Sequence, residues 1–381
     1  MKKIGKEVLF LKTSENNPRN GESTLLRLSD GRILHAYTEY YGDDWEDHAT
    51  ARISAVTSSD EGETWSAPRV LIRKPEEAQN IMSPSLFRLP DGALGILYLL
   101  KTVEEDGGIS CMPKFSRSED EGESFSAPVS CGMPLGYYCG INDGVLVTRA
   151  GRILMPMSYH GERYDAYGCL KEKKGQAGDI RIAVSDDGGA TWYPHPHVFK
   201  SPYADAVGLA EPGLFEHENG DLWMYCRTAY GHQYDSVSTD GGETWTPVCV
   251  NVRFPTPDAP MRVKRVGDRV AAVYNPTAFS CLCTAREAWK SPKRTPIVVS
   301  LSRDDGRSFD ERNTTFVGGK LDGFVKDTYL LEDDVTNSYC YPAILETKDG
   351  FLVSYYHSDG GPICLNATKV TKVYKSEISE D

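Results

Sequence analysis

Ser58-Ser-Asp60-Glu-Gly62-Glu-Thr64-Trp65 recurs along the chain as the pattern Ser-x-Asp-x-Gly-x-(Thr/Ser)-(Trp/Phe), five copies in all. The others are Ser118-Glu-Asp120-Glu-Gly122-Glu-Ser124-Phe125, Ser185-Asp-Asp187-Gly-Gly189-Ala-Thr191-Trp192, Ser238-Thr-Asp240-Gly-Gly242-Glu-Thr244-Trp245 and Ser302-Arg-Asp304-Asp-Gly306-Arg-Ser308-Phe309. These are turn residues: the Asp carboxylate accepts from backbone N–H groups, Gly supplies a positive φ, and the aromatic ring packs beneath. Exposed, repeated aspartates invite a catalytic reading. Five turns doing one architectural job is the simpler account.

A second repeat interleaves with the first. Six times a short apolar strand meets a turn and leaves by another apolar strand, at Gly31, Gly92, Gly151, Gly220, Gly267 and Gly350. Each is a β-hairpin signal. Six hairpins, five followed by an Asp turn, predict an all-β chain: a six-bladed β-propeller of four-stranded antiparallel blades. The sixth blade lacks an Asp turn, and a strand around residues 5–12 is expected to close it by pairing with the last blade. No helix longer than a turn or two and no linker is evident, so residues 1–381 are expected to form a single domain. Insertions at 160–178, 276–293 and 310–338 are expected to shape a binding mouth.

Composition excludes several classes. The 381 residues are 40% hydrophobic and 25% charged, as in a soluble globular protein. A net charge of −13, from 42 basic and 55 acidic residues, argues against a nucleic-acid partner, which requires a basic face. No segment nears the about 18 apolar residues of a membrane span, and the N-terminus has no signal-peptide core, so a cytoplasmic location is expected. The ten cysteines follow no disulfide framework. Neither Cys281-Leu-Cys283 nor His195-Pro-His197 has partners at metal spacing, and no metal or cofactor is expected.

The hairpin glycines also register the blades. Nine residues before them stand Glu22, Ser83, Asn142, Glu211, Asp258 and Tyr341, all polar and mostly followed by apolar residues. The innermost strands of a propeller line its axis, so a polar ring at one depth points to a ligand site there, although a water-filled channel would also be polar. Two arginines enter the same region. Arg227 ends the strand after Gly220, and Arg294 opens the strand leading to the last Asp turn. Guanidinium groups at strand ends suit recognition of a carboxylate. Tyr40, Tyr41, Tyr137, Tyr138 and Tyr164 fall in segments that could carry sugar-stacking rings.

The five Asp turns and the residues around Glu211 and Arg227 give a chain that resembles the sialidase superfamily, six-bladed propellers with Asp-box repeats. Glu211-Pro-Gly-Leu-Phe-Glu, with Arg227-Thr228 beyond the next hairpin, is similar to that family's late-blade Glu and Arg. Arg294-Thr-Pro-Ile-Val-Val-Ser-Leu-Ser302 matches its next Arg, spaced eight residues before an Asp-box Ser. Tyr341-Pro-Ala-Ile-Leu is similar to its nucleophile-bearing strand, with Tyr339 a less well registered alternative. The resemblance implies that Tyr341, deprotonated by Glu211, attacks an anomeric carbon while arginines hold a substrate carboxylate.

The first blade departs from the family pattern. Where the family opens with Arg-Ile-Pro, this chain reads Glu22-Ser-Thr, with Arg19 three residues earlier. The family's general-acid Asp falls at Arg52, with Asp47 and His48 nearby. The third arginine is therefore Arg52 or Arg19, and the acid is Asp47, His48 or Glu22.

The leading functional expectation is a sialidase-type glycoside hydrolase acting on a terminal acidic sugar of an oligosaccharide or glycoconjugate. The alternatives are another exo-glycosidase or a uronate lyase on an acidic glycan, and a non-catalytic glycan-binding propeller.

Overall fold

The computed structural model describes residues 1–105, 107–162, 177–202, 207–276, 294–309, 327–334, 336–360 and 363–378. The insertions at 160–178, 276–293 and 310–338 lie largely outside them, as do Tyr164, Cys281 and Cys283. After β1 (Lys6–Leu11), the chain forms six antiparallel sheets in sequence. Blade one is β2 (Arg19–Arg27), β3 (Ile33–Tyr40), β4 (Ala51–Ser58) and β5 (Arg69–Ile72). Blade two is β6 (Asn80–Arg88), β7 (Leu94–Val103), β8 (Ile109–Ser118) and β9 (Val129–Ser130). In blade three, β10 (Tyr138–Cys139) and β11 (Leu146–Val147) are two pieces of one inner strand on β12 (Ile153–Tyr159), followed by β13 (Asp179–Ser185) and β14 (Tyr193–Pro194). Blade four is β15 (Ala210–Glu216), β16 (Leu222–Arg227), β17 (His232–Ser238) and β18 (Cys249–Pro255). Blade five is β19 (Arg262–Val266), β20 (Arg269–Tyr274), β21 (Ile297–Ser302) and β22 (Thr328–Glu332). Blade six is β23 (Cys340–Thr347), β24 (Gly350–His357) and β25 (Ala367–Tyr374), completed by β1.

The ring closes where expected. β1 lies antiparallel to β25, from Lys6 opposite Lys372 to Leu11 opposite Thr368, so the N-terminal strand is the outermost strand of the last blade and the two ends of the propeller share a sheet. Each seam between neighbouring blades holds its own apolar cluster. Leu34, Ile53 and Leu86 fill the first seam, and Leu97, Phe115 and Met155 the second. Phe254, Tyr274 and Phe309 sit between blades four and five, while Ile344, Phe351 and Leu331 sit between five and six.

The Asp turns are hydrogen-bonded as their residue types dictate. Asp60 Oδ1 accepts from Ser58 Oγ at 2.8 Å and from Thr64 N–H at 2.9 Å, and Oδ2 accepts from Thr64 Oγ1 at 2.6 Å. Gly62 N–H donates to Ser58 Oγ at 2.9 Å, and Trp65 Nε1 donates to the Gly62 carbonyl. The same Ser–Asp–Thr/Ser network recurs at Asp120, Asp187, Asp240 and Asp304. All five aspartates are on the surface.

Gly350 differs from the other hairpin glycines. It is not in a left-handed conformation. A Cβ there would lie 1.8 Å from the Val373 carbonyl oxygen, so this glycine is required by close approach of β25.

Candidate active site

Four of the innermost strands carry a β-bulge at the same level. The pairing slips between Gly21 and Thr24, Met82 and Ser85, Ala210 and Gly213, and Cys340 and Ala343. Within each bulge one non-glycine residue is left-handed: Glu22 (φ 48°), Ser83 (φ 53°), Glu211 (φ 40°) and Tyr341 (φ 54°). Such backbone costs about 1–3 kcal/mol per residue, and it concentrates where a side chain must be aimed at a site. The nine-residue offset from the hairpins therefore finds the bulges.

It slips in two blades. In blade three the inner strand breaks between β10 and β11, and the left-handed residue is Asp143 (φ 57°), not Asn142. Asn142 instead donates to the carbonyls of Ser23 (2.5 Å) and Tyr341 (3.2 Å), tying the backbones of blades one and six together beside the bulges. In blade five Asp258 precedes β19, in the approach to the inner strand.

The first of two clusters joins blades four, five and six. Tyr341 Oη donates to Glu211 Oε1 at 2.5 Å. Arg227 Nη1 donates to Glu211 Oε2 at 2.7 Å and to Tyr341 Oη at 3.3 Å, while its Nε donates to Asp258 Oδ1 at 2.5 Å. Arg294 donates to the Asp258 carbonyl at 2.8 Å and to Cys340 Sγ, and its guanidinium stands 5.8 Å from the Tyr341 ring centre. Burial and the Glu211 carboxylate hold the Tyr341 phenol well above its ordinary value, against the pull of Arg227 and Arg294. The phenol is thus neutral, with a carboxylate in place to receive its proton. Burial opposes ionisation of Asp258, but Arg227 and Arg294 outweigh it and keep that carboxylate low. Among the described residues, Arg227 Nη2 carries no hydrogen bond, which leaves it open to a ligand.

The second cluster lies on blades one, two and six. Arg19 is buried with its guanidinium between the rings of Tyr40 (4.6 Å) and Tyr356 (5.2 Å). Its Nε donates to Tyr356 Oη at 2.8 Å, Nη1 to Asp47 Oδ1 at 2.6 Å, and Nη2 to Glu22 Oε1 at 3.4 Å. Glu22 Oε2 also accepts from Ser83 Oγ at 2.7 Å. Lys101, near the end of β7, pins the loop that carries Asp47 by donating to the Asp47 carbonyl at 2.6 Å. Burial works against ionisation of Asp47, but Arg19 and Lys101 overrule it and bring its pKa down to about 2. Burial and Asp47 lift Glu22 to about 7, with Arg19 and Ser83 opposing. Burial and Lys101 lower His48 to about 4. The clusters meet where the Tyr341 and Tyr356 rings stand edge to face, 5.7 Å apart.

Arg52 is not brought to either cluster. It extends from β4 to Glu39 on β3, with Nε 2.7 Å from Oε2, and stacks on Tyr41. Arg19 is held beside the centre, with its donors on Asp47, Glu22, Tyr356 and the Trp45 carbonyl. Tyr339 belongs to the apolar seam between blades five and six. Of the aromatic residues expected at the mouth, Tyr40, Tyr137 and Tyr138 are buried. Sequence reading missed Lys101 and Tyr356, which lie near the ends of the second strands of their blades opposite Asn80 and Cys340, as Arg227 does opposite Ala210. It also missed Asp143, which accepts from Thr24 Oγ1 and contacts Lys264 Nζ at 2.6 Å, a buried link between blades one, three and five.

Among the described residues, no group of three or more His, Cys, Asp or Glu is arranged to hold a metal ion, and no helix is long and apolar enough to cross a membrane.

A six-bladed propeller stapled by Asp turns, with a Tyr–Glu pair on its inner strands and an arginine reaching both from a second strand, is a sialidase-like propeller of the BNR-repeat type. The chain belongs to the family described as BNR repeat-like domain, whose model matches residues 31–354. The fold is shared with a protein of unknown function from Dyadobacter fermentans, at 18% identity and a TM-score of 0.68 over 97% of this chain and 98% of that one. The intramolecular trans-sialidase of Ruminococcus gnavus is similar over 98% of both chains, at 15% identity and a TM-score of 0.64. The NanB sialidase of Streptococcus pneumoniae is similar over 98% of this chain and 71% of its own, at 14% identity and a TM-score of 0.67. At these identities the likeness is one of fold. No curated protein sequence matches the chain.

Proposed function

We propose that the protein is a glycoside hydrolase of sialidase type that removes a terminal acidic sugar from a glycan, with Tyr341 as nucleophile and Glu211 as its base. The observation that carries this reading is the 2.5 Å hydrogen bond from Tyr341 Oη to Glu211 Oε1, with Arg227 on both residues. A buried neutral phenol is a weak nucleophile until a base takes its proton, and Glu211 Oε1 is in place to do so. Beside a substrate carboxylate, an incoming phenol meets less repulsion than a carboxylate nucleophile would. Arg227 and Arg294 flank Tyr341 and supply the guanidinium groups for that carboxylate. The sialidases and trans-sialidase that share the fold support the same reaction class.

One observation favours a second reading. Arg19 already donates to Asp47, Glu22 and Tyr356, so among the described residues the guanidinium groups beside Tyr341 that can turn to a substrate anion are those of Arg227 and Arg294. A different acidic sugar, such as a uronate at the end of a chain, is compatible with two.

The test is fluorophore release from a 4-methylumbelliferyl sialoside and from the matching glucuronide, by wild type, Tyr341→Phe and Arg227→Lys. Sialoside turnover that Tyr341→Phe abolishes supports the first reading. Turnover of the glucuronide alone supports the second. No turnover of either removes both.

A further inference from the structure

Resting on the glycosidase reading, we propose that Glu22, not Asp47, holds the proton that this site delivers to the departing glycosidic oxygen. Asp47 and Glu22 share one cation, Arg19, and they share it unequally. Asp47 Oδ1 is 2.6 Å from Arg19 Nη1, whereas Glu22 Oε1 is 3.4 Å from Nη2. The carboxylate at the shorter distance takes the charge, and the Lys101 ammonium, on the Asp47 carbonyl, reinforces it. Glu22 is left with a long contact to Arg19 and a neutral hydroxyl, Ser83 Oγ. Glu22 is buried whereas the Asp47 side chain is about half exposed, so a second charge on Glu22 beside Asp47 is costly, and a proton on this buried, worse-paired carboxyl group relieves the repulsion.

The groups that face Glu22 come from every neighbouring element. Arg19 and Asp47 lie on one side, Lys101 on β7 on another, and the phenols of Tyr40, Tyr356 and Tyr341 complete the surround. Cys111 on β8 also lies within electrostatic reach. Glu22 shares with Glu211 and Tyr341 the bulged, left-handed backbone that aims side chains inward, whereas Asp47 comes from the loop between β3 and β4. His48 is neutral near pH 7 and has no proton to give as a cation.

The chemistry balances. Tyr341 Oη bonds to the anomeric carbon and passes its proton to Glu211. The glycosidic C–O bond breaks, its electron pair stays on the leaving oxygen, and that oxygen takes the Glu22 proton. In the second half, Glu22 as carboxylate accepts a proton from the attacking water. The C–O bond to Tyr341 then breaks, and the phenol recovers its proton from Glu211.

The experiment compares wild type, Glu22→Gln and Asp47→Asn on an activated aryl sialoside and on sialyllactose, whose leaving group needs a proton. It adds infrared difference spectra of the free enzymes at about pH 6 and about pH 8.5, which bracket a carboxyl group titrating near neutrality. Glu22→Gln is expected to lose about 100-fold or more on sialyllactose and about tenfold or less on the aryl substrate. The basic limb of kcat/KM near pH 7 is expected to vanish with it. A carboxylic-acid band present in wild type at the lower pH is expected to be absent from the variant. Equal losses on both substrates overturn the proposal, and so does a leaving-group signature in Asp47→Asn instead. An absent acid band overturns the proton assignment by itself. Wild type inert on both substrates with the band intact overturns the sialoside reading and the donor role with it.

Discussion

Tyr341 on blade six and Glu211 on blade four meet with 2.5 Å between Oη and Oε1, and both are held in left-handed backbone at equivalent bulges. The strained backbone of two separate sheets converges on one hydrogen bond. For Glu211→Gln the expected outcome is a loss of kcat of about 100- to 10,000-fold, the usual range for removing a positioned base. A glutamine preserves a partner for Arg227 Nη1, so circular dichroism and thermal midpoint should stay close to wild type.

Tyr356 links Arg19 to the nucleophile, and its position depends on a residue with no side chain. A Cβ at Gly21 would lie 1.8 Å from two atoms of the Tyr356 ring, which is itself buried. Gly21→Ala is therefore expected to push the ring off Arg19 and destabilise the protein by about 1–3 kcal/mol or more, as overpacking does. Urea denaturation measures it; a change below half a kilocalorie would show that the ring moves freely.

Glu22 also makes stability depend on pH. Its pKa rises from 4.5 unfolded to about 7 folded, so between those values the folded protein binds a proton that the unfolded chain does not. The group therefore stabilises most at low pH, and its contribution falls as pH rises to 7. From 4.5 to about 7, at about 1.4 kcal/mol per pH unit, the fall amounts to about 3 kcal/mol. Asp47, lowered from 3.8 to about 2, acts with the opposite sign and only in stronger acid. The stability of Glu22→Gln relative to wild type should thus climb by about 3 kcal/mol across that window in urea titrations. Parallel curves would contradict the assignment.

The Asp turns are architectural. Asp60 accepts three hydrogen bonds from Ser58 and Thr64 at the surface, remote from the bulges. Asp60→Ala is expected to cost about 1–2 kcal/mol in denaturation while leaving kcat/KM unchanged. A loss of activity in the still-folded variant would contradict a purely structural role.

Much of this was legible in the chain because propellers repeat. The Asp turns and hairpins set the number of blades and the closure by β1, and the offset from the hairpin glycines reached Glu22, Ser83, Glu211 and Tyr341. The offset failed where the inner strand changes length. The break between β10 and β11 moved the left-handed position from Asn142 to Asp143, and β19 starts only at Arg262. Lys101 and Tyr356 were hidden for a different reason. They lie near the ends of second strands of unequal length, so no fixed spacing finds them, and only pairing against Asn80 and Cys340 does. The occupation of Arg19 and the diversion of Arg52 to Glu39 depend on side-chain direction, which a one-dimensional register does not carry.

The most direct test of the central claim is covalent trapping. A fluorinated sialosyl fluoride reacts with a nucleophile quickly and leaves it slowly, so the glycosylated enzyme should accumulate. The account predicts a single adduct by mass spectrometry, on the peptide containing Tyr341, absent in Tyr341→Phe and slow to form in Glu211→Gln. An adduct on another residue, or the same adduct in Tyr341→Phe, would contradict it.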